Sequence, residues 1–131
     1  MKKTPLLNTA LSELIASLGH GDMVVIADAG LPIPAETYRI DLALTRGVPG
    51  FIETVRTVLS EMQVERAIIA NETVRVSPQV MQDLQTLLTG VPFEQVSHEE
   101  LKDLCHRARA VVRTGEFTPY ANVILVAGVV F

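Results

Sequence analysis

The run Met23–Ala27 sets five apolar side chains in succession, with Gly19-His20-Gly21-Asp22 before it and Asp28-Ala29-Gly30-Leu31-Pro32-Ile33-Pro34 after it. Five residues are too few for a core helix, and the run lacks the polar alternation of a half-wet strand. It predicts a strand buried on both faces, which requires a sheet covered on each side. The two prolines that follow remove backbone donors and fix φ, so the segment after the strand is irregular. Val64–Ala70, Phe93–Val96, Ala110–Arg113 and Val123–Val130 also read as strands. Tyr38–Leu44 alternates Tyr38, Ile40, Leu42 and Leu44 with Arg39, Asp41 and Ala43, as a strand with one wet face does.

Helical stripes lie between these runs. Asn8 or Thr9 caps a first helix, Leu11, Leu14, Ile15 and Leu18 form its apolar face, and Gly19 is expected in the left-handed position that ends it. After the turn Arg46-Gly47-Val48-Pro49, a second stripe runs through Phe51, Ile52, Val55, Val58, Leu59 and Met62. Ser77-Pro78 opens a third helix with proline at its first position, and Gly90 closes it. Ser97-His98-Glu99-Glu100 forms a capping box for a fourth, reaching about Arg107. Strands alternating with helices predict a three-layer α/β fold with a mainly parallel sheet. The last two strands follow each other without a helix, so the C-terminal strand is expected to be antiparallel. Residues 1–131 read as one domain, large enough to bury its own core.

Composition excludes several functions. Eleven Lys and Arg against fifteen Asp and Glu give a net charge of −4, without the basic footprint of a nucleic-acid binder. No apolar run approaches the ~18 residues of a membrane span. Met1-Lys2-Lys3-Thr4-Pro5 leads into no long apolar segment, so no signal peptide is expected and the location is expected to be cytoplasmic. Cys105 stands alone, and the three histidines show no HxH or HxxxH spacing, so no metal site is expected. Gly19-x-Gly21 precedes a strand rather than opening a helix, and there is no Walker A loop, so no cofactor is expected. A mean hydropathy of +0.31 is high for a chain of 14.3 kDa and points to self-association.

In sheets of this kind ligands bind beyond the carboxyl ends of the strands. The polar residues there are Asp28 after the first strand, Asn71 and Glu72 after the third, His98 after the fourth, and Tyr120 and Asn122 in the loop after the fifth. His20 allows two readings: an imidazole interacting with the terminal carbonyls of a helix, or a general acid–base. Asp28 either caps its own turn or pairs with His20, eight residues upstream. His98 falls in the first turn of a helix, where an imidazole can donate to a substrate oxygen. Tyr120-Ala121-Asn122 offers a ring face and an amide suited to a sugar, or simply to loop packing. His106, beside Arg107 and Arg109, is expected at the surface.

Gly19-His20-Gly21-Asp22, Asp28-Ala29-Gly30-Leu31-Pro32-Ile33-Pro34, Arg39-Ile40-Asp41, Ser97-His98-Glu99 and the run Arg113-Thr114-Gly115-Glu116-Phe117-Thr118-Pro119-Tyr120-Ala121-Asn122 closely resemble the D-ribose pyranase family, whose wider superfamily includes the fucose mutarotases. The resemblance runs nearly end to end and is weakest over Asn71–Gln95. It implies an isomerase of carbohydrate metabolism, in D-ribose catabolism, that interconverts pyranose and furanose forms of D-ribose without a cofactor. It also implies a ring-based homo-oligomer, a decamer, with sites near subunit contacts. His20 would be the catalytic proton donor, and Asp28, His98, Tyr120, Ala121 and Asn122 would bind the sugar. Asp28 would orient or charge His20, with Asp28, His98 or water removing the anomeric proton. An L-fucose-type mutarotase and a non-catalytic sugar-binding accessory of ribose uptake are the alternative readings. Asp28-Ala29-Gly30-Leu31-Pro32-Ile33-Pro34 and Phe117-Thr118-Pro119 favour the pyranase.

Overall fold

A computed structural model describes residues 1–131. Six strands form one sheet: β1 (Met23–Ala27), β2 (Arg39–Asp41), β3 (Val64–Ala70), β4 (Phe93–Val96), β5 (Ala110–Arg113) and β6 (Val123–Ala127). Their order is β2-β5-β1-β6-β3-β4. β6 runs antiparallel to β1 and β3, while the pairs β1–β5, β2–β5 and β3–β4 are parallel. Five strands therefore point one way, with β6 inverted among them. The expected sheet, with its antiparallel last strand, is the one observed.

β1 lies in the middle, and Val24 through Ala27 are fully buried. Val24 and Ile26 face the larger core, against α1 (Thr9–Ser17), α2 (Phe51–Leu59) and α4 (Pro78–Leu87). Val25 and Ala27 face the smaller one, with Leu31, and with Leu101 and Cys105 from α5 (His98–Leu104) and the single 3-10 turn after it. Phe51, fully buried at the head of α2, is one of the largest contributors, worth about 1.5–3 kcal/mol by burial alone. Burial inside an apolar layer also pushes the Cys105 thiol up to about 11, which leaves it inert.

Local signals hold where they are strongest. Asn8 caps α1 by accepting from the Leu11 amide at 2.9 Å. Pro78 occupies the first turn of α4, and Ser97 and Glu100 form both arms of the capping box on α5. Four expectations need correction. Gly21, not Gly19, takes the left-handed conformation, with φ 85°. α1 ends instead at an extended Leu18. The strand expected over Tyr38–Leu44 shrinks to Arg39–Asp41, because an edge strand paired only with β5 loses its partner after Asp41; Tyr38 and Leu44 are exposed. β6 ends at Ala127 rather than Val130: the Gly128 amide still donates to the Gln63 carbonyl at 3.0 Å, but Gln63 precedes β3, the chain before β1 turns at Gly21, and Val129–Phe131 are left exposed. Finally, a helix α3 (Asn71–Val76) stands between β3 and Ser77, where the sequence reading has no helix. It starts directly at the end of β3, with Ala70 at its N-cap and no side-chain cap to announce it.

Candidate active site

The carboxyl ends of β1, β3, β4 and β5 share one edge of the sheet with the start of β6. Asp28 and Asn122 meet there although 94 residues separate them. The Asp28 amide donates to Asn122 Oδ1 at 2.9 Å, and Asn122 Nδ2 donates to Asp28 Oδ2 at 3.0 Å. The second carboxylate oxygen accepts from the Gly30 amide at 2.9 Å. This reciprocal pair fixes both the Asn122 amide and the Asp28 carboxylate. Asn122 is fully buried, whereas Asp28 is half-buried and lines a cleft of about 390 Å³. That volume lies toward the small end of ligand pockets. Arg113, Glu116, Phe117 and Thr118 line the same cleft.

Tyr120 takes a left-handed backbone, with φ 59°, which is uncommon for a residue carrying a Cβ. Its carbonyl accepts from the Asn122 amide at 2.9 Å and from the Thr73 hydroxyl at 2.7 Å. The tight turn points its ring edge-on to His98, with centroids 5.0 Å apart and planes at 81°. His98 opens α5, and its Nδ1 is buried without a hydrogen-bond partner. Ala121 is fully buried in the larger core, so it anchors the turn. Asp28, His98, Tyr120, Ala121 and Asn122 thus gather on one edge, as their strand-end positions suggest.

His20 does not join them. It precedes β1 at the opposite edge, is largely exposed, and its Nε2 lies 2.7 Å from Glu65 Oε2 at the start of β3. The five residues of β1 put roughly 16 Å between the two edges at about 3.3 Å per residue. Within one chain, then, Asp28 neither orients nor charges His20. His106 is exposed and pairs with Glu36, away from this edge.

Glu116 and Arg113 lie within the quoted run Arg113–Asn122, but neither stood out as a site residue. Arg113 Nε donates to the Ala29 carbonyl at 3.0 Å, and its Nη1 reaches both oxygens of Asp41 at 3.2 Å. Glu116 ties the cleft loop to α2: Oε1 accepts from the Phe51 amide at 3.0 Å, and Oε2 from the Thr118 hydroxyl at 2.9 Å. Partial burial pushes its carboxyl up, but the donors from Phe51, Thr118 and Phe117 outweigh that and hold it below the ordinary 4.5. A carboxyl lowered in the folded state stabilises the fold above its unfolded value, and that contribution is lost as pH falls through its folded value. Glu116→Gln keeps one acceptor and loses the charge. It is expected to melt below the wild type at pH 7, with the gap narrowing on acidification below 4.5. Thermal melts from neutral to acid pH check this; a gap independent of pH would remove Glu116 from that role.

Fold and edge together define an α/β protein with a strand-end site for a small polar ligand. The chain belongs to the RbsD / FucU transport protein family, which it matches over residues 1–130. It is 72% identical over 131 residues to the D-ribose pyranase of Chloroflexus aggregans, with all of both chains covered. Among solved structures, the Bacillus subtilis RbsD complexed with D-ribose matches at a TM-score of 0.96 and 48% identity, again over all of both chains. The fucose mutarotase from Streptococcus pneumoniae, in complex with L-fucose, shares the fold at a TM-score of 0.84 and 24% identity, over all of both chains.

Proposed function

We propose that this chain is a D-ribose pyranase, interconverting the pyranose and furanose forms of ribose. The observation that carries the reading is the end-to-end likeness to proteins of that name and to a ribose-bound relative. The Asp28–Asn122 pair on the cleft supplies a chemical reason for it. Opening a cyclic hemiacetal removes the proton of the anomeric hydroxyl, breaks the bond between C1 and the ring oxygen, and protonates that oxygen. The open-chain aldehyde turns and recloses through a different hydroxyl, and the proton movements reverse. Asp28, with its carboxylate held by Gly30 and Asn122, binds a sugar hydroxyl. His98 and Tyr120 present a ring pair to the sugar, and Ala121 and Asn122 form the floor beneath it.

His20 supplies the proton to the ring oxygen, and it reaches the site from a second copy of the chain. The two edges lie at opposite ends of β1, so an edge-to-edge contact between copies joins what one chain separates. Both edges carry exposed apolar side chains suited to such a contact: Leu44, Val48 and Phe117 beside the cleft, and Val129, Val130 and Phe131 beyond β6. A head-to-tail contact whose rotation closes generates a ring, in keeping with a ring-based decamer, whose mass light scattering would read directly. No helix is long and apolar enough to cross a membrane.

Saturation transfer between pyranose and furanose signals of D-ribose, with catalytic amounts of protein, tests the activity. Faster exchange is expected. Binding without faster exchange would make this a sugar-binding accessory, and faster exchange between L-fucose anomers than between any ribose pair would make it a fucose-type mutarotase.

A further inference from the structure

The helix α3 has no part in the chemistry above, yet it touches both ring-bearing members of the site. The capping box on α5 uses the Ser97 hydroxyl for the Glu100 amide and the Glu100 carboxylate for the Ser97 amide. The His98 amide is left over, and Glu72 Oε2 accepts from it at 2.9 Å. One residue on, the fully buried Thr73 hydroxyl donates to the Tyr120 carbonyl at 2.7 Å. Just past the helix, the Ser77 hydroxyl donates to the Pro119 carbonyl at 2.6 Å. Adjacent residues of one short helix thus grip the backbones of His98 and Tyr120, whose rings stand 5.0 Å apart.

We infer that Glu72 and Thr73 are positioning residues that set the spacing of the His98–Tyr120 ring pair and through it the affinity for ribose. The inference rests on the ribose-exchange reading for its kinetic arm. Tyr120 sits in a conformation that its Cβ disfavours, held by two donors to its carbonyl. Without the Thr73 hydroxyl, one of those donors is gone and the peptide relaxes toward ordinary φ, carrying the ring away from His98. Glu72 acts on the other member: its carboxylate, at the positive end of α5, holds the first turn and hence the Cα of His98 in place. Neither residue moves a proton, so substrate binding should suffer more than the chemical step.

Thr73→Val keeps the shape and removes the hydroxyl, Thr73→Ser restores the hydroxyl, Glu72→Ala removes the acceptor, and Glu72→Gln restores it. Thr73→Val and Glu72→Ala are expected to raise the half-saturating ribose concentration about tenfold, with the maximal exchange rate changed much less. The Ser and Gln variants are expected to stay near the wild type. A loss of maximal rate in proportion to the unfolded fraction, at unchanged half-saturation, would overturn the inference and leave α3 a purely structural element. If Thr73→Val fails to fold, the Glu72 pair, at a partly exposed position, carries the same test. An activity-independent readout separates this inference from the ribose reading. The His98 ring-proton resonances, shifted by the Tyr120 ring current, should move in Thr73→Val and return in Thr73→Ser. Unmoved resonances overturn the positioning role even in an active enzyme, while moved resonances in a protein without exchange activity uphold it and overturn the ribose reading.

Discussion

Replacing His20 by alanine is expected to slow ring exchange by about 10²–10⁴-fold, the usual worth of a positioned general acid. Thermal stability should barely move. The side chain is 61% exposed and its partner Glu65 is 43% exposed, so their pair falls in the class worth about 0–1 kcal/mol. The stronger test follows from the separation of the two edges. If each site takes His20 from one copy and Asp28 from the next, His20→Ala and Asp28→Ala chains are each inactive alone. Mixed oligomers, refolded together from equal amounts, should regain about a quarter of the wild-type rate, since a quarter of the contacts unite an intact His20 with an intact Asp28. No recovery from mixtures shown to be co-assembled would overturn the shared site. Full activity of His20→Ala alone would remove His20 from the mechanism.

Gly115→Ala is expected to have the largest effect on stability. A Cβ there would lie 2.5 Å from the carbonyl oxygens of both Thr45 and Val48 and 2.7 Å from the Val48 nitrogen. All three atoms are backbone, so no side chain can swing aside. The segment they belong to is also fastened to this glycine, which accepts from the Gly47 amide at 2.6 Å and donates to the Pro49 carbonyl at 2.9 Å. Overpacking against fixed backbone costs about 3 kcal/mol or more, which lowers the melting temperature of a domain this size by about 10 °C. Exchange activity should fall as well, because the neighbouring Glu116 holds the cleft loop to α2. Gly19→Ala is the control: its Cβ would meet only the Asp22 carboxylate at an ordinary 3.7 Å, and a change within about 0.5 kcal/mol is expected. Equal melting temperatures for the two variants would show that the Thr45–Pro49 segment yields freely.

Much of the fold was legible because its signals are local. The apolar run Met23–Ala27 is β1 to the residue, and Ser97 with Glu100 forms the capping box it predicts. Asn8 and Pro78 begin their helices as their side-chain chemistry dictates. α3 was not legible, since nothing in Asn71–Val76 supplies a cap. It is sustained by tertiary partners, among them the Tyr120 carbonyl that takes up Thr73. The extents of β2 and β6 escaped for a related reason: side-chain pattern continues past the point where a neighbouring strand stops offering partners.

The site divides in the same way. Strand-end logic placed Asp28, His98, Tyr120 and Asn122 on one edge from sequence alone, because chain direction in a parallel sheet determines which end of each strand faces the ligand. That same logic separates His20 from Asp28, and their closeness in sequence is deceptive: an extended strand carries the chain across the whole sheet in five residues. Only the tertiary structure brought Asn122 against Asp28, Thr73 against Tyr120 and Glu72 against His98. The first two contacts depend on β6 being wedged between β1 and β3, the third on β4 lying beside β3, and strand order comes from the packing of the whole domain. Residue chemistry, caps and periods were determined by the sequence alone, since each acts over a single turn or strand. Which groups meet was decided by the sheet.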